Sequence, residues 1–195
     1  RGYMMQDTSF YQDWAGSDLN KEDASYYSSF LDAMQLVDSP PEEAFDKFTR
    51  LVQRFISVPV ALVSIVEEPR DRQYFKSEIG LSGKWKEARQ TPLTHSFCQI
   101  VKNEDKPLIV EDAPNDLRVC SNLAIPDLGV RAYLGIPIHA PNGAPMGALC
   151  AIDDAPRRWL ESDIEGMVDL AACVDDLIRL RTALFSANGL SDFVV

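Results

Sequence analysis

Histidine is nearly missing from this 195-residue chain: His95 and His139 are the two present. Cysteine is sparse as well, and Cys98, Cys120, Cys150 and Cys173 include no CxxC pair. That combination offers no recognisable zinc spacing, so no metal site is expected. Two of the cysteines sit in apolar runs, and all four are read as reduced thiols of a cytoplasmic protein. Positive charge is scarce too. Lys and Arg number 19 against 30 Asp and Glu, a net charge of −11. A surface of that sign repels phosphate backbones and argues against nucleic acid as a direct partner. No apolar run approaches the ~20 residues that cross a bilayer, so no membrane partner is expected. The opening RGYMMQDTSFYQDW has neither the apolar core of a secretory signal nor an initiator Met, and the chain is read as trimmed or as a piece of a longer protein.

What is present is enough for one folded unit with extensions, able to bury about 70% of its unfolded surface. Residues 1–20 read as a loose arm, 21–186 as a single domain with flanking helices, and 187–195 as a tail. A first helix is predicted over 21–37, capped by Asn20, with Ala24, Tyr27, Leu31, Met34 and Val37 at helical spacing. In DSPPEE, Ser39 is the expected N-cap, Pro40 the first helical residue and Glu42 the closing member of a capping box. The second helix stops near Ser57, ahead of Pro59. VALVSIV reads as a strand covered on both faces. RQYFKSEIG and PLIVED are further strands, and AYLGIPIHA and PMGALCAID flank a hairpin at Asn142-Gly143. A last helix runs from about Glu161 to Phe185. Helices at both ends and a late hairpin indicate an α+β domain built on an antiparallel sheet.

Separating the faces of 133–139 puts Leu134, Ile136 and Ile138 on one side and Tyr133, Gly135, Pro137 and His139 on the other. The bulky set suits packing against helices. The mixed set leaves space, for which the long segment DAPNDLRVCSNLAIPDLGVR is the natural cover. Gly135 and Gly147 equally fit a bulge or sheet twist.

LDAMQLVDSPPEEAFDKFTRLVQRFISVPVALVSIVEE, FKSEIGL, HSFCQIV, PLIVEDAPND, NLAIPDLGVRAYLGIPI and NGAPMGALCAIDDAPRRW, in this order, resemble a GAF domain over roughly 30–180. The similarity is to sensory GAF modules found before diguanylate cyclase, histidine kinase and SpoIIE-type phosphatase outputs. It implies a central antiparallel sheet of five or six strands, terminal helices on one face and a small-molecule pocket on the other. Carried to this chain, the pocket would draw on Phe75, on His95, Ser96, Phe97 and Cys98, on Asp112 to Asn122, and on Arg131 and Tyr133. The cofactor is left open. Bilin attachment is disfavoured because Cys98 precedes Gln99 rather than a His, and cyclic nucleotide because its signature is absent. Haem is disfavoured with His95 as the sole suitably placed axial group. The methionine-sulfoxide-reductase pattern lacks its Gly-rich turn at SFCQI.

In THSFCQI, Cys98 and His95 could form a nucleophile and base, since i and i+3 share a helical face. No nearby acidic residue orients His95, and Cys is often a small buried hydrophobe. The preferred reading is that Thr94 or Ser96 caps a helix while Cys98 lines a cavity or the core, with no catalytic residue assigned. Asp112, Asp116, Arg118 and Asn122 are candidate ligand contacts, and for the first three loop tethering is the preferred reading. Arg89 and Arg131 are the better anion binders, because guanidinium offers fixed forked donors.

The last helix carries two stripes. Ile164, Met167, Ala171, Val174 and Ile178 suit packing on the sheet, and Leu170, Cys173, Leu177, Leu180 and Leu184 read as a coiled-coil seam. A homodimer through this helix and the second one is expected. So is a signalling output, either in a longer chain or on a separate partner. The expected function is a regulatory module that senses an unknown small molecule. Two alternatives stand beside it: a dimerisation scaffold without ligand, and a thiol-based redox sensor or reductase using Cys98.

Overall fold

The computed structural model describes residues 21–187. The arm at 1–20, the Asn20 cap and the tail at 188–195 lie outside the described residues. Helix α1 (Lys21–Ala33) is shorter than its apolar stripe. Gln35 turns left-handed (φ 52°), and the Gln35 and Leu36 N–H groups close back on Asp32 and Leu31 carbonyls at 3.0 and 2.9 Å. These paired bonds terminate a helix. The stripe misled because Met34, Leu36 and Val37 stay buried in the irregular turn that follows.

Helix α2 (Glu43–Ile56) begins after the expected Pro40, and Ser39 does not cap it. The Ser39 hydroxyl donates to Gln35 O at 2.7 Å and accepts from Lys76 Nζ at 2.8 Å. The Glu42 carboxylate, rather than closing a capping box, takes Lys76 and Arg181. The helix ends where Ser57 adopts φ 58°.

Six strands follow: β1 (Val60–Glu67), β2 (Arg72–Ile79), β3 (Gln90–Pro92), β4 (Leu108–Val110), β5 (Ala132–His139) and β6 (Pro145–Asp153). Between them lie short helices α3 (Gly83–Ala88), α4 (Cys98–Glu104) and α5 (Ala124–Leu128), and the chain closes on α6 (Glu161–Ala187). The strands form one sheet in the order β3-β2-β1-β6-β5-β4, every pair antiparallel. The β5–β6 turn passes through Gly143 at φ 86°, a backbone that suits glycine. At Gly147, a Cβ would overlap the Ser64 carbonyl, because β1 and β6 run close together beside the irregularity at Val63/Ser64.

Each sheet face has its own apolar core. On one, Ala61, Val63, Ile65, Leu134, Ile136, Ile138 and Leu149 pack against α1, α2 and α6 through residues such as Phe45, Val52, Met167, Val174 and Ile178. On the other, Leu62, Val66, Phe75, Tyr133, Ala148 and Cys150 meet Phe97, just ahead of α4, and Cys98 and Val101 of that helix, together with Val119, Ala124 and Val130 of the cover. Period-2 alternation along β1 and β5 therefore sorts cleanly into the two cores. The first α6 stripe packs on the sheet side. Of the second, Leu170 and Leu177 are partly packed, Cys173 is exposed, and Leu180 and Leu184 are 58% and 57% exposed.

Candidate functional site

The cover-side core centres on Tyr133. Its hydroxyl lies 3.2 Å from Cys98 Sγ, and its ring tilts against Phe97 with centroids 5.2 Å apart. The space expected at Gly135 is taken by that same ring, which a Cβ on Gly135 would overlap. Cys150, from the neighbouring strand β6, brings its sulfur within 3.9 Å of Cys98. Burial pushes the Tyr133 phenol well above its ordinary value, and the adjacent Cys98 and Cys150 add to the shift. Burial likewise pushes the Cys150 thiol up. Cys98 goes the other way. Hydrogen bonds from Cys150, Tyr133 and Ser64 draw it down against the cost of burial.

Beside the thiols runs a buried polar strip. Gln73 Oε1 accepts from Ser96 Oγ at 2.7 Å and from Ser64 Oγ at 3.2 Å, while its Nε2 donates to Thr91 Oγ1 at 3.0 Å. Ser96 Oγ also accepts the Gln99 N–H at 3.0 Å, satisfying a first-turn donor of α4, although the N-cap position itself falls to Phe97 rather than to the expected Thr94 or Ser96. Asn122 ties the cover down: its Nδ2 donates to Ser96 O at 3.3 Å and its Oδ1 accepts the Ala124 N–H at 2.9 Å. Among the described residues, no buried side-chain nitrogen or oxygen lacks a partner. Ser64, Gln73 and Thr91 escaped the sequence reading. The available signal was Ser64, the lone hydroxyl inside VALVSIV.

His95 is held by a residue that sequence spacing did not reveal. Its Nε2 pairs with Asp127 Oδ2 of α5 at 2.9 Å, its Nδ1 with Thr94 Oγ1 at 3.0 Å, and Trp85 lies against the ring with centroids 5.1 Å apart. His95 sits in a single turn ahead of α4 rather than on it. With both nitrogens engaged elsewhere, the geometry does not form the Cys98–His95 nucleophile–base pair.

The structure thus gathers Phe75, His95, Ser96, Phe97, Cys98, Asn122 and Tyr133 beneath or within the cover. It does not bring the charged candidates there. Arg89 turns to the helix side, donating to the carbonyls of Ser39, Phe75 and Lys76 at 2.7, 3.1 and 2.9 Å and lying over the Tyr74 ring. Asp112 accepts from Asn115 Nδ2 at 2.7 Å. Asp116 is engaged by Arg118, whose Nη2 also reaches Ile109 O at 2.7 Å, so these three tether the loop. Arg131 is exposed, and its backbone joins Asp153 and Ala113 at 2.9 and 2.7 Å.

An antiparallel sheet is clamped by terminal helices on one face and closed by short helices and a long segment on the other, which defines an α+β domain with two separate cores. The GAF family model matches residues 40–174, and the chain belongs to that family. GAF domains are generally regulatory or sensory. Residues of this chain are 31% identical over 173 positions to the cyclic di-GMP phosphodiesterase PA2567 of Pseudomonas aeruginosa, a match covering 88% of this chain. The chain spans 28% of that relative's length. Among solved structures, the GAF domain of an Acinetobacter phosphoenolpyruvate-protein phosphotransferase superposes with TM-score 0.58 at 16% identity, covering 85% of this chain and 98% of that one. The Thermosynechococcus elongatus PixJ GAF domain does so at 0.60 and 16%, covering 84% and 95%. Free methionine-R-sulfoxide reductase from Neisseria meningitidis, in complex with its substrate, gives 0.59 at 13%, covering 87% and 97%. At these identities the structures share the fold. Among the described residues, no helix is long and apolar enough to cross a membrane.

Proposed function

We propose that this GAF domain is a cytoplasmic sensory module. It takes up a small molecule between the sheet and the 91–131 cover and passes the event to α1, α2 and α6. The observation that supports this reading most is the Ser64–Gln73–Thr91–Ser96 strip beside the Cys98–Tyr133–Cys150 group. Every group of the strip is paired in the closed site, and each would cost about 1–3 kcal/mol if left unpaired, so whatever enters beneath the cover must itself be polar. Hydroxyls and amides that pair with one another when the site is closed can re-pair with a polar ligand when the cover opens. Transmission has a short path. Gln73 and Lys76 lie on the same strand, and Lys76 reaches Glu42, which Arg181 of α6 also grips. Ligand binding shifts this system only through differential affinity for two arrangements of those helices. The relative's name favours cyclic-di-GMP turnover as the regulated output, in the same chain or in a partner.

Native mass spectrometry of the purified chain, followed by thermal shift against a metabolite panel, tests the reading. A ligand at ~100 times its Kd should add roughly 2.7 kcal/mol of stability, and Gln73→Leu should abolish that gain. A chain that carries no added mass and gains no stability from any panel member would sink it.

A second reading, a dimerising scaffold, is favoured by the outer faces of α2 and α6, where Leu51, Phe55, Leu180 and Leu184 stand exposed. Homodimerisation there is compatible with sensing. Sedimentation should show a dimer that Leu180→Lys with Leu184→Lys converts to monomer. A wild-type monomer at high concentration would remove both the dimer and the scaffold.

A further inference from the structure

Cys98 opens α4 under the cover, and Cys150 lies mid-strand in β6, 52 residues further along the chain. Their sulfurs are 3.9 Å apart in the cover-side core, whereas Cys120 and Cys173 are exposed. We propose that Cys98 and Cys150 form a two-electron redox site that closes to an intramolecular disulfide when local opening of the cover lets a hydroperoxide reach the Cys98 sulfur. The site needs no bound ligand, so it stands or falls apart from the sensing reading.

The geometry is close to what the bond demands. A disulfide holds its sulfurs at about 2.05 Å, so the thiols must approach by under ~2 Å. Cys150 is fixed in a central strand, paired on both sides by β1 and β5. Cys98 is the first residue of a seven-residue helix and is the partner free to adjust. Short helices and turns over a core also open locally at less cost than sheet strands, which admits a small oxidant.

The surroundings assign the roles. The Tyr133 hydroxyl lies 3.2 Å from the Cys98 sulfur and the Cys150 thiol 3.9 Å from it, and donors so placed favour a thiolate there. Cys98 is therefore the attacking sulfur and Cys150 the resolving one. The Cys98 thiolate attacks the hydroperoxide, the O–O bond breaks, and the alkoxide or hydroxide leaves and is protonated. This gives Cys98 sulfenic acid. The Cys150 sulfur, losing its proton, then attacks Cys98, the S–O bond breaks, and water departs. In sum, two thiols and ROOH give one disulfide, ROH and water. The sulfur pair loses two electrons, and the peroxide oxygens gain them. The new bond would pin α4 to β6.

The test uses the whole chain, reduced, freed of reductant and treated with hydrogen peroxide. It is then denatured, alkylated and weighed intact. Two of the four cysteines should resist alkylation, the unalkylated mass should fall by about 2 Da, and peptides holding Cys98 and Cys150 should be linked until dithiothreitol is added. Replacing both Cys120 and Cys173 by Ser should leave this unchanged. Cys150→Ser should halt at a sulfenic acid on Cys98 that dimedone traps. Four alkylatable thiols at a dose that oxidises free cysteine would overturn the proposal. So would oxidation confined to Cys120 or Cys173, or sulfinic acid at Cys98 of the wild type without the link.

Discussion

Glu42→Ala should lower the unfolding free energy by about 3–5 kcal/mol, read from urea midpoints, and should cost more than Lys76→Met. The asymmetry follows from burial. Lys76 is 0% exposed, and its ammonium donates to Gln35 O at 2.7 Å, to Ser39 Oγ at 2.8 Å and to Glu42. Burial pulls its pKa down, and Glu42 opposes that pull. Removing the carboxylate strands a cation among neutral acceptors, with the Arg181 charge nearby and no anion between them. Removing Lys76 instead leaves Glu42 with Arg181 and partial access to water. Burial works against ionising Glu42, yet hydrogen bonds from Arg181 and Lys76 outweigh it and hold the carboxyl below its usual range. Lys76→Met should therefore cost no more than about 2 kcal/mol. The double variant Glu42→Ala, Lys76→Met should recover at least about 1 kcal/mol relative to the sum of the single losses. If Lys76→Met proves the more damaging change, the buried ammonium is not a liability once Glu42 is gone.

That cluster also shows where sequence patterning stops carrying information. Period-2 alternation located β5 and β6 and sorted the faces of β5, because neighbouring side chains on a strand report directly on what lies above and below it. The Asn142-Gly143 hairpin was legible because the turn needs a residue that accepts positive φ. Where the signal was not local, it failed. DSPPEE has the chemistry of a helix N-terminus, but Ser39 and Glu42 are drawn to Lys76 on β2, a partner no spacing rule could supply. Strand β3, with only three residues, has too little alternation to read and exists through its pairing with β2.

The candidate site follows the same division. Ser96, Phe97, Cys98 and Tyr133 stood out because each lies in a stretch with a recognisable local role. Their decisive partners did not. Asp127 meets His95 across 32 residues, Cys150 meets Cys98 across 52, and both meetings depend on how the cover settles on the sheet. Arg89 and Arg131 were chosen for their chemistry as anion binders, yet Arg89 holds backbone carbonyls in place and Arg131 is exposed. Forked donors serve a protein's own unpaired carbonyls as well as they serve a ligand.

His139→Gln should remove a stabilisation that is present at pH 6 and gone by pH 9.5. His139 ends β5 and bridges two elements. Its Nδ1 meets Asp175 Oδ2 of α6 at 2.8 Å, its Nε2 meets Asp105 Oδ1 after α4 at 2.9 Å, and its own N–H donates to Asp175 Oδ1 at 2.7 Å. The hydrogen bond to Asp175, aided by Asp105 and opposed by burial, raises its pKa to about 9. Because the folded value lies above the unfolded ~6.5, the contribution is complete below about pH 6.5 and disappears as pH climbs through 9. That shift corresponds to about 3 kcal/mol at the acidic end of the window. The wild type should lose up to that much more stability than His139→Gln between pH 6 and 9.5, in urea titrations at matched ionic strength. The loss bears on signalling, because Asp175 belongs to the helix that is proposed to carry the output, and deprotonation removes the positive charge that ties Asp175 and Asp105 to the end of the sheet. Parallel pH profiles for the two proteins would show that the imidazole is not charged in this clamp.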